Sequence, residues 1–268
     1  GDGDGDGDGD GDGDGGDGDG DTQPPIDVEI PVRPPNATTA DPVEGDETDN
    51  DLLGTEEGED ILGFVGNDTL AGENGADNLF GGQDNDLILA GLGDDNIYGD
   101  RGNDSIFGGV GIVVSGEISS DLDYIEGGDG DDFIFGNIDA DTLIGGDGDD
   151  VIFAGLGNDL IDGGDGDDLV AGDQGNDTLL GGGGSDRFLL VEGGGTDLIA
   201  DFENGQDVFV LGDGLTFSQI TITQVSLLTQ IQVTSSGEVL ATLPGVPVGD
   251  LDAGDFSVFE PIETPLDS

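Results

Sequence analysis

The sequence contains no cysteine and no histidine. That removes the usual Cys/His zinc site, any thiol nucleophile, any Ser-His-Asp triad and any disulfide staple. There is no lysine either, and the three basic residues are Arg33, Arg101 and Arg187. Against 64 acidic residues they leave a net charge of −61, which disfavours nucleic acid and anionic membranes as partners. No apolar run approaches the ~18 residues of a transmembrane helix. No basic stretch followed by an apolar core opens the chain, so no N-terminal signal peptide is expected. Hydrophobic content is only 33%. Composition alone would therefore read as a disordered, self-repelling chain.

Periodicity overrules that reading. In blocks of nine, residues 127–189 run GGDGDDFIF, GNIDADTLI, GGDGDDVIF, AGLGNDLID, GGDGDDLVA, GDQGNDTLL, GGGGSDRFL. The sixth position is always aspartate: Asp132, Asp141, Asp150, Asp159, Asp168, Asp177 and Asp186. The eighth is always large and apolar, from Ile134 to Phe188. Glycines at positions one, two and four permit positive φ, and the Asn or Asp before the conserved aspartate is a type that tolerates it. Positions seven to nine form a short strand with one buried side chain, which is stable only when stacked on copies of itself. An isolated GDGD is best explained as a solvated turn. A column of aspartates beside turn carbonyls, locked to an apolar column, is a hard oxygen site suited to calcium.

In chain order, residues 1–21 are a Gly-Asp tract without apolar content, expected to be disordered, and 22–45 are a Pro-rich linker. A first repeat array spans 46–107, with aspartates Asp51, Asp60, Asp68, Asp77, Asp86, Asp95 and Asp104 and an apolar column Leu53, Leu62, Leu70, Leu79, Ile88, Ile97 and Ile106. The step from Asp60 to Asp68 is eight, which predicts a local irregularity. Residues 108–117 break the pattern, with Val113 where an aspartate is due. Asp123 follows Asp104 by two periods plus one, so the second array, 118–189, is expected to continue the same stack after a bulge. Residues 190–268 read as an antiparallel β cap and a C-terminal secretion region, with strands at 216–223, 228–234 and 239–243.

The blocks at 46–107 and 118–189 resemble the RTX, or haemolysin-type, calcium-binding repeat, and GTDLIADFENGQDVFVL at 195–211 resembles the segment that closes the roll in secreted bacterial RTX proteins. The resemblance implies an all-β, right-handed parallel β-roll with two nonapeptides per coil. It places Ca2+ between successive turns on one edge, held by turn carbonyls and by aspartates one coil apart. The implied metal residues are Asp68, Asp77, Asp86, Asp95, Asp104, Asp123, Asp132, Asp141, Asp150, Asp159, Asp168, Asp177 and Asp186, for roughly eight to ten ions in seven to eight coils. The missing aspartate near Val113 should leave a gap in both ion rows. The family also implies bacterial export by type I secretion machinery to the medium or cell surface, and Asp255-Phe256-Ser257-Val258-Phe259 is similar to the acidic-then-apolar end of such signals.

The reading favoured is a non-catalytic, calcium-folded extracellular structural or interaction module. The alternative is the export and folding module of a larger enzyme, toxin or adhesin. Glycoside hydrolysis by paired carboxylates is a weaker third reading, because the repeat already explains the acidic pairs. Outward positions seven and nine form an apolar strip at Phe133/Phe135, Val151/Phe153 and Leu169/Ala171, expected to pack on the cap or on a second chain.

Overall fold

A computed structural model describes residues 41–109 and 122–259. The Gly-Asp tract, the linker through residue 40, residues 110–121, which include most of the break and the first residues of the second array, and the tail from 260 lie outside the described residues. The strands in chain order are β1 (Val43–Glu44), β2 (Asp51–Leu53), β3 (Asp60–Val65), β4 (Thr69–Asn74), β5 (Asn78–Gln83), β6 (Leu87–Leu92), β7 (Asn96–Arg101), β8 (Ser105–Gly109), β9 (Tyr124–Asp129), β10 (Phe133–Ile138) and β11 (Thr142–Asp147). They continue as β12 (Val151–Leu156), β13 (Leu160–Asp165), β14 (Leu169–Ala171), β15 (Thr178–Gly183), β16 (Arg187–Leu190), β17 (Asp197–Ile199), β18 (Val208–Leu211), β19 (Ile220–Val225), β20 (Leu228–Val233), β21 (Val239–Pro244) and β22 (Phe256–Val258).

The fold is a parallel β-solenoid. Odd strands β1 to β17 pair successively in sheet A and even strands β2 to β18 in sheet B. Each coil contributes one strand to each sheet, giving nine coils where the repeat arrays alone suggested seven or eight. The extra coils lie at the ends. β1, inside the segment read as linker, pairs with β3, and β17 and β18 extend the stack beyond residue 189.

Most strands are longer than expected. Six residues pair, from position seven of one block through position three of the next. Position one stays extended, and glycine there serves a different purpose from glycine at two and four. Positions two and four are the left-handed ones: Gly146 has φ +125° and Gly148 φ +139°. A Cβ on Gly148 would meet the Gly130 carbonyl of the preceding coil. The residue before the aspartate does not adopt positive φ in any coil. Its Asn or Asp is explained by hydrogen bonding: Asn103 N–H donates to Asn85 Oδ1 at 2.7 Å, and Asp167 N–H donates to Asp149 Oδ1 at 2.9 Å.

The core is the eighth-position column, with Ile88, Ile97, Ile125, Ile134, Leu143, Ile152 and Ile161 all 0% exposed. Its start corrects the register of the first array. Ile61, not Leu62, is buried, and Leu53 is 62% exposed while Leu52 packs on the core. Asp51 and Asp60 therefore occupy position seven, and position six holds Asn50 and Glu59. The irregular step of eight vanishes, because the nine-residue period runs through Glu59 to Asp68.

The break is also larger than a bulge. β7 pairs with β9 and β8 with β10, so Asn96 lies beside Tyr124 and Ser105 beside Phe133. The coil-to-coil step there is 28 residues against 18 in the coils on either side, so ten residues more than a coil requires lie between β8 and β9. Insertions in turns are cheap in a solenoid, where each coil touches only its neighbours.

The cap is antiparallel β19–β20–β21 as expected, and it joins sheet A through β21 against β17. It buries Ile231, Val233, Leu240 and Leu243 at the end of the stack. It does not cover the outward strip of sheet B, because it extends sheet A edgewise, and Phe133 remains 39% exposed. The segment resembling a secretion signal begins inside the fold: Asp255 closes a 3-10 turn with Asp252, and β22 pairs in parallel with β18.

The corrected register has a direct test. Ile61→Ala should cost about 2–5 kcal/mol of unfolding free energy in the calcium-loaded chain. Leu53→Ala should change it by less than about 0.5 kcal/mol. Thermal or denaturant unfolding of the two variants distinguishes the registers.

Candidate metal centre

Position six follows the sharp turn and precedes the strand, so successive coils stack these side chains into two ladders, one on each edge of the roll. One ladder runs Glu59, Asp77, Asp95, Asp123, Asp141, Asp159, Asp177, Asp197. The other runs Asn50, Asp68, Asp86, Asp104, Asp132, Asp150, Asp168, Asp186, Asp207. In each, the backbone N–H of one member donates to the carboxylate Oδ1 of the next, at 2.7 Å from Asp132 to Asp150 and 2.8 Å from Asp141 to Asp159. The aspartates from Asp68 to Asp186 are no more than 3% exposed.

The second oxygen is the informative one. Oδ2 of Asp68, Asp86, Asp104, Asp132, Asp150, Asp159, Asp168, Asp177 and Asp186 is buried without a hydrogen-bond partner. A buried carboxylate oxygen left unpaired is costly. The missing side chain of the position-one glycine provides its space. A Cβ on Gly136 would stand 2.6 Å from Asp141 Oδ2 and 2.7 Å from the Ala154 carbonyl oxygen. Ala90 and Ala154 show that a methyl group can replace this glycine in two coils. Carboxylate and carbonyl oxygens thus converge in the turns. Among the described residues, no three Asp or Glu side chains meet at one point, so carbonyls must supply much of any ligand set. That donor chemistry fits a hard, oxygen-seeking cation.

The sequence pattern of the RTX calcium-binding nonapeptide repeat is matched in overlapping copies over residues 53–112 and 119–199. The chain belongs to the RTX calcium-binding repeat family. No curated protein matches it. Among solved structures, an extracellular lipase from Serratia marcescens is 18% identical over 67% of this chain, with a TM-score of 0.32. This chain spans 39% of that lipase. A subunit of the Azotobacter vinelandii mannuronan C5-epimerase is 19% identical, covering 83% of this chain and 84% of its own, with a TM-score of 0.17. Likeness at that level carries no argument about activity.

All thirteen aspartates implied by the RTX resemblance lie in the ladders. The side-chain ladders are not interrupted where a gap in the ion rows was expected: Asp95 N–H reaches Asp123 Oδ1 at 3.0 Å and Asp104 N–H reaches Asp132 Oδ1 at 2.6 Å, across the insertion. Four ladder members escaped sequence reading. Glu59 and Asn50 were hidden by the neighbouring Asp60 and Asp51. Asp197 and Asp207 were hidden by steps of 20 and 21 residues, although each opens the Asp-x-apolar pattern of a coil strand. No described helix is long and apolar enough to cross a membrane.

Burial drives eight of the ladder carboxyls, those of Asp77, Asp86, Asp104, Asp132, Asp150, Asp159, Asp168 and Asp186, toward their neutral form, opposed by the N–H bond each accepts. From an ordinary 3.8, Asp77, Asp86 and Asp168 are pushed up to about 6, and Asp104, Asp150, Asp159 and Asp186 to about 7. Asp132 is pushed up to about 8. A raised carboxyl pKa makes its contribution to stability complete below 3.8 and lost as pH rises through the folded value. Without calcium, the roll should therefore be more stable at pH ~5 than at pH ~8, losing its β-sheet signal between about 6 and 8. A far-UV circular dichroism titration in chelator checks this; stability that rises with pH would contradict it.

Proposed function

We propose that this chain is a calcium-folded, secreted RTX module with a structural or interaction role and no catalysis of its own. The observation that carries it is the row of buried Oδ2 atoms facing turn carbonyls. Neighbouring coils lie ~4.8 Å apart. Two carboxylates at that spacing repel by about 1 kcal/mol in water and about 3.5 kcal/mol at an effective dielectric near 20. Several such pairs per ladder rival the 5–15 kcal/mol of a typical domain. An ionised, metal-free roll is thus unstable.

Calcium, when bound, supplies positive charge and accepts several oxygen ligands at once, so its binding energy becomes folding energy. The residues that hold it are the thirteen aspartates from Asp68 to Asp186, with Asp197 and Asp207 extending the rows and turn carbonyls completing each set. Roughly eight to ten ions are expected. Extracellular modules bind in the ~0.1–1 mM range, so the chain stays unfolded where calcium is scarce and folds after export. Absence of histidine and cysteine supports a non-catalytic role, as does the use of nearly all the buried acidic side chains in the ladders.

The test is circular dichroism and calorimetry on the full chain. A cooperative gain of β structure at sub-millimolar to millimolar calcium, reversed by EDTA, is expected. A β spectrum that survives chelation at pH ~7.5 would overturn the proposal.

A further inference from the structure

The outer face of sheet B is built from positions seven and nine of the even-numbered blocks. From β4 to β14 every one of these positions is uncharged, in a chain of net charge −61. The rings of Phe107, Phe135 and Phe153 stack on adjacent strands at 5.2 and 5.3 Å, nearly parallel, with Phe133 edge-on to Phe135 at 4.7 Å. Leu87, Leu89 and Phe133 are 37%, 41% and 39% exposed. At positions seven and nine only two charged residues stand between β2 and β16; position two of the following block adds the exposed Glu73 on β4 and the half-buried Asp173 just after β14. Asp51 lies on β2 and Arg187 on β16, in the same column of in-register partners. Arg187 makes no ion pair among the described residues.

We propose that this face is the interface of a two-fold homodimer, with the symmetry axis lying along the strands between β8 and β10. Such an axis reverses the order of coils and keeps each column opposite itself. β8 then faces β10 of the second copy, β6 faces β12, β4 faces β14 and β2 faces β16. Asp51 of each copy meets Arg187 of the other, while Phe107 meets Phe133 and Phe135.

The turns that border the face obey the same symmetry. The fifth-position residues are Asn67, Asn85 and Asn103 before β4, β6 and β8, and Asp131, Asp149 and Asp167 before β10, β12 and β14. The proposed axis sets each of those aspartates opposite an asparagine. On that entry border acidic turns do not face acidic turns; on the exit border one like-charged pair remains, Glu73 opposite Asp173. Eight strands at ~4.8 Å spacing give a face of roughly 700 Å2 per copy, near the ~800 Å2 of a standard interface. The contact is isologous and closes on itself.

Sedimentation velocity on the full chain with calcium tests the arrangement. Expected is a dimer with a dissociation constant in the micromolar range. Asp51→Arg alone and Arg187→Asp alone should each weaken it by about tenfold, and the double reversal should restore it. Phe133→Ser with Phe135→Ser should abolish it. Both charged positions are exposed, so those variants keep the fold, verified by an unchanged calcium-loaded circular dichroism spectrum. A chain that stays monomeric about a hundredfold above the micromolar range overturns the proposal. So does a dimer indifferent to the charge reversals, or one that the double reversal fails to restore.

Discussion

The structure depends on stacking carboxylates in dry columns one coil apart. Each aspartate of the ladders accepts a backbone N–H from the coil before it through Oδ1, and its own carbonyl accepts the strand N–H of the coil after it, as Asp132 does from Val151 at 2.9 Å. One residue, through its side chain and its backbone carbonyl, thus ties three coils together. The same arrangement leaves a second oxygen buried, with like-charged neighbours above and below. Hydrogen bonding alone cannot offset that, because an N–H satisfies one oxygen and leaves the net charge in place. The ladder is therefore a device that needs either protons or a cation, and the raised pKa values and the carbonyl-lined turns express that one need.

Turn geometry follows from the ladder. Glycine at positions two and four lets the backbone enter the left-handed region, and glycine at position one makes room for the carboxylate. A solenoid held this way is stable in its middle and exposed at its ends. At the start, Asn50 and Glu59 take the ladder position where the next partner is lacking, and Asn50 Oδ1 accepts the Asp46 N–H at 2.7 Å. At the finish, aromatic rings replace the aliphatic column. Phe202 and Phe209 stack at 4.3 Å, Phe209 meets Phe256 at 5.0 Å, and the antiparallel strands close sheet A.

The period, the fold class and the alignment of the thirteen central aspartates in columns were legible in the sequence because those features repeat. Sequence reading failed where a neighbour imitated the pattern. Asp60-Ile61-Leu62 offers the same Asp-x-apolar spacing as Asp68-Thr69-Leu70, and only burial shows that Glu59 and Ile61 hold the structural positions. It failed again where the period was stretched, at Asp197 and Asp207, since the steps of 20 and 21 residues leave hydrogen bonding intact while breaking the count. The role of Asn and Asp at position five was misassigned because turn propensity and cross-coil hydrogen bonding select the same residue types.

The insertion after β8 explains why the count is so easily broken. A coil must deliver two strands and two ladder side chains in register with its neighbour, and nothing in that requirement limits the chain between them. Asp95 and Asp123 are 28 residues apart, yet their hydrogen bond is only slightly longer than the 2.8 Å from Asp77 to Asp95. The insertion also divides the roll by charge. From β4 to β14 the fifth-position turns entering sheet B are asparagine before it and aspartate after it, while the ladder aspartates continue unchanged. Cation binding requires only the ladder, so it gives no reason for that division. The proposed two-fold contact supplies one, because it sets each of those turn aspartates opposite an asparagine.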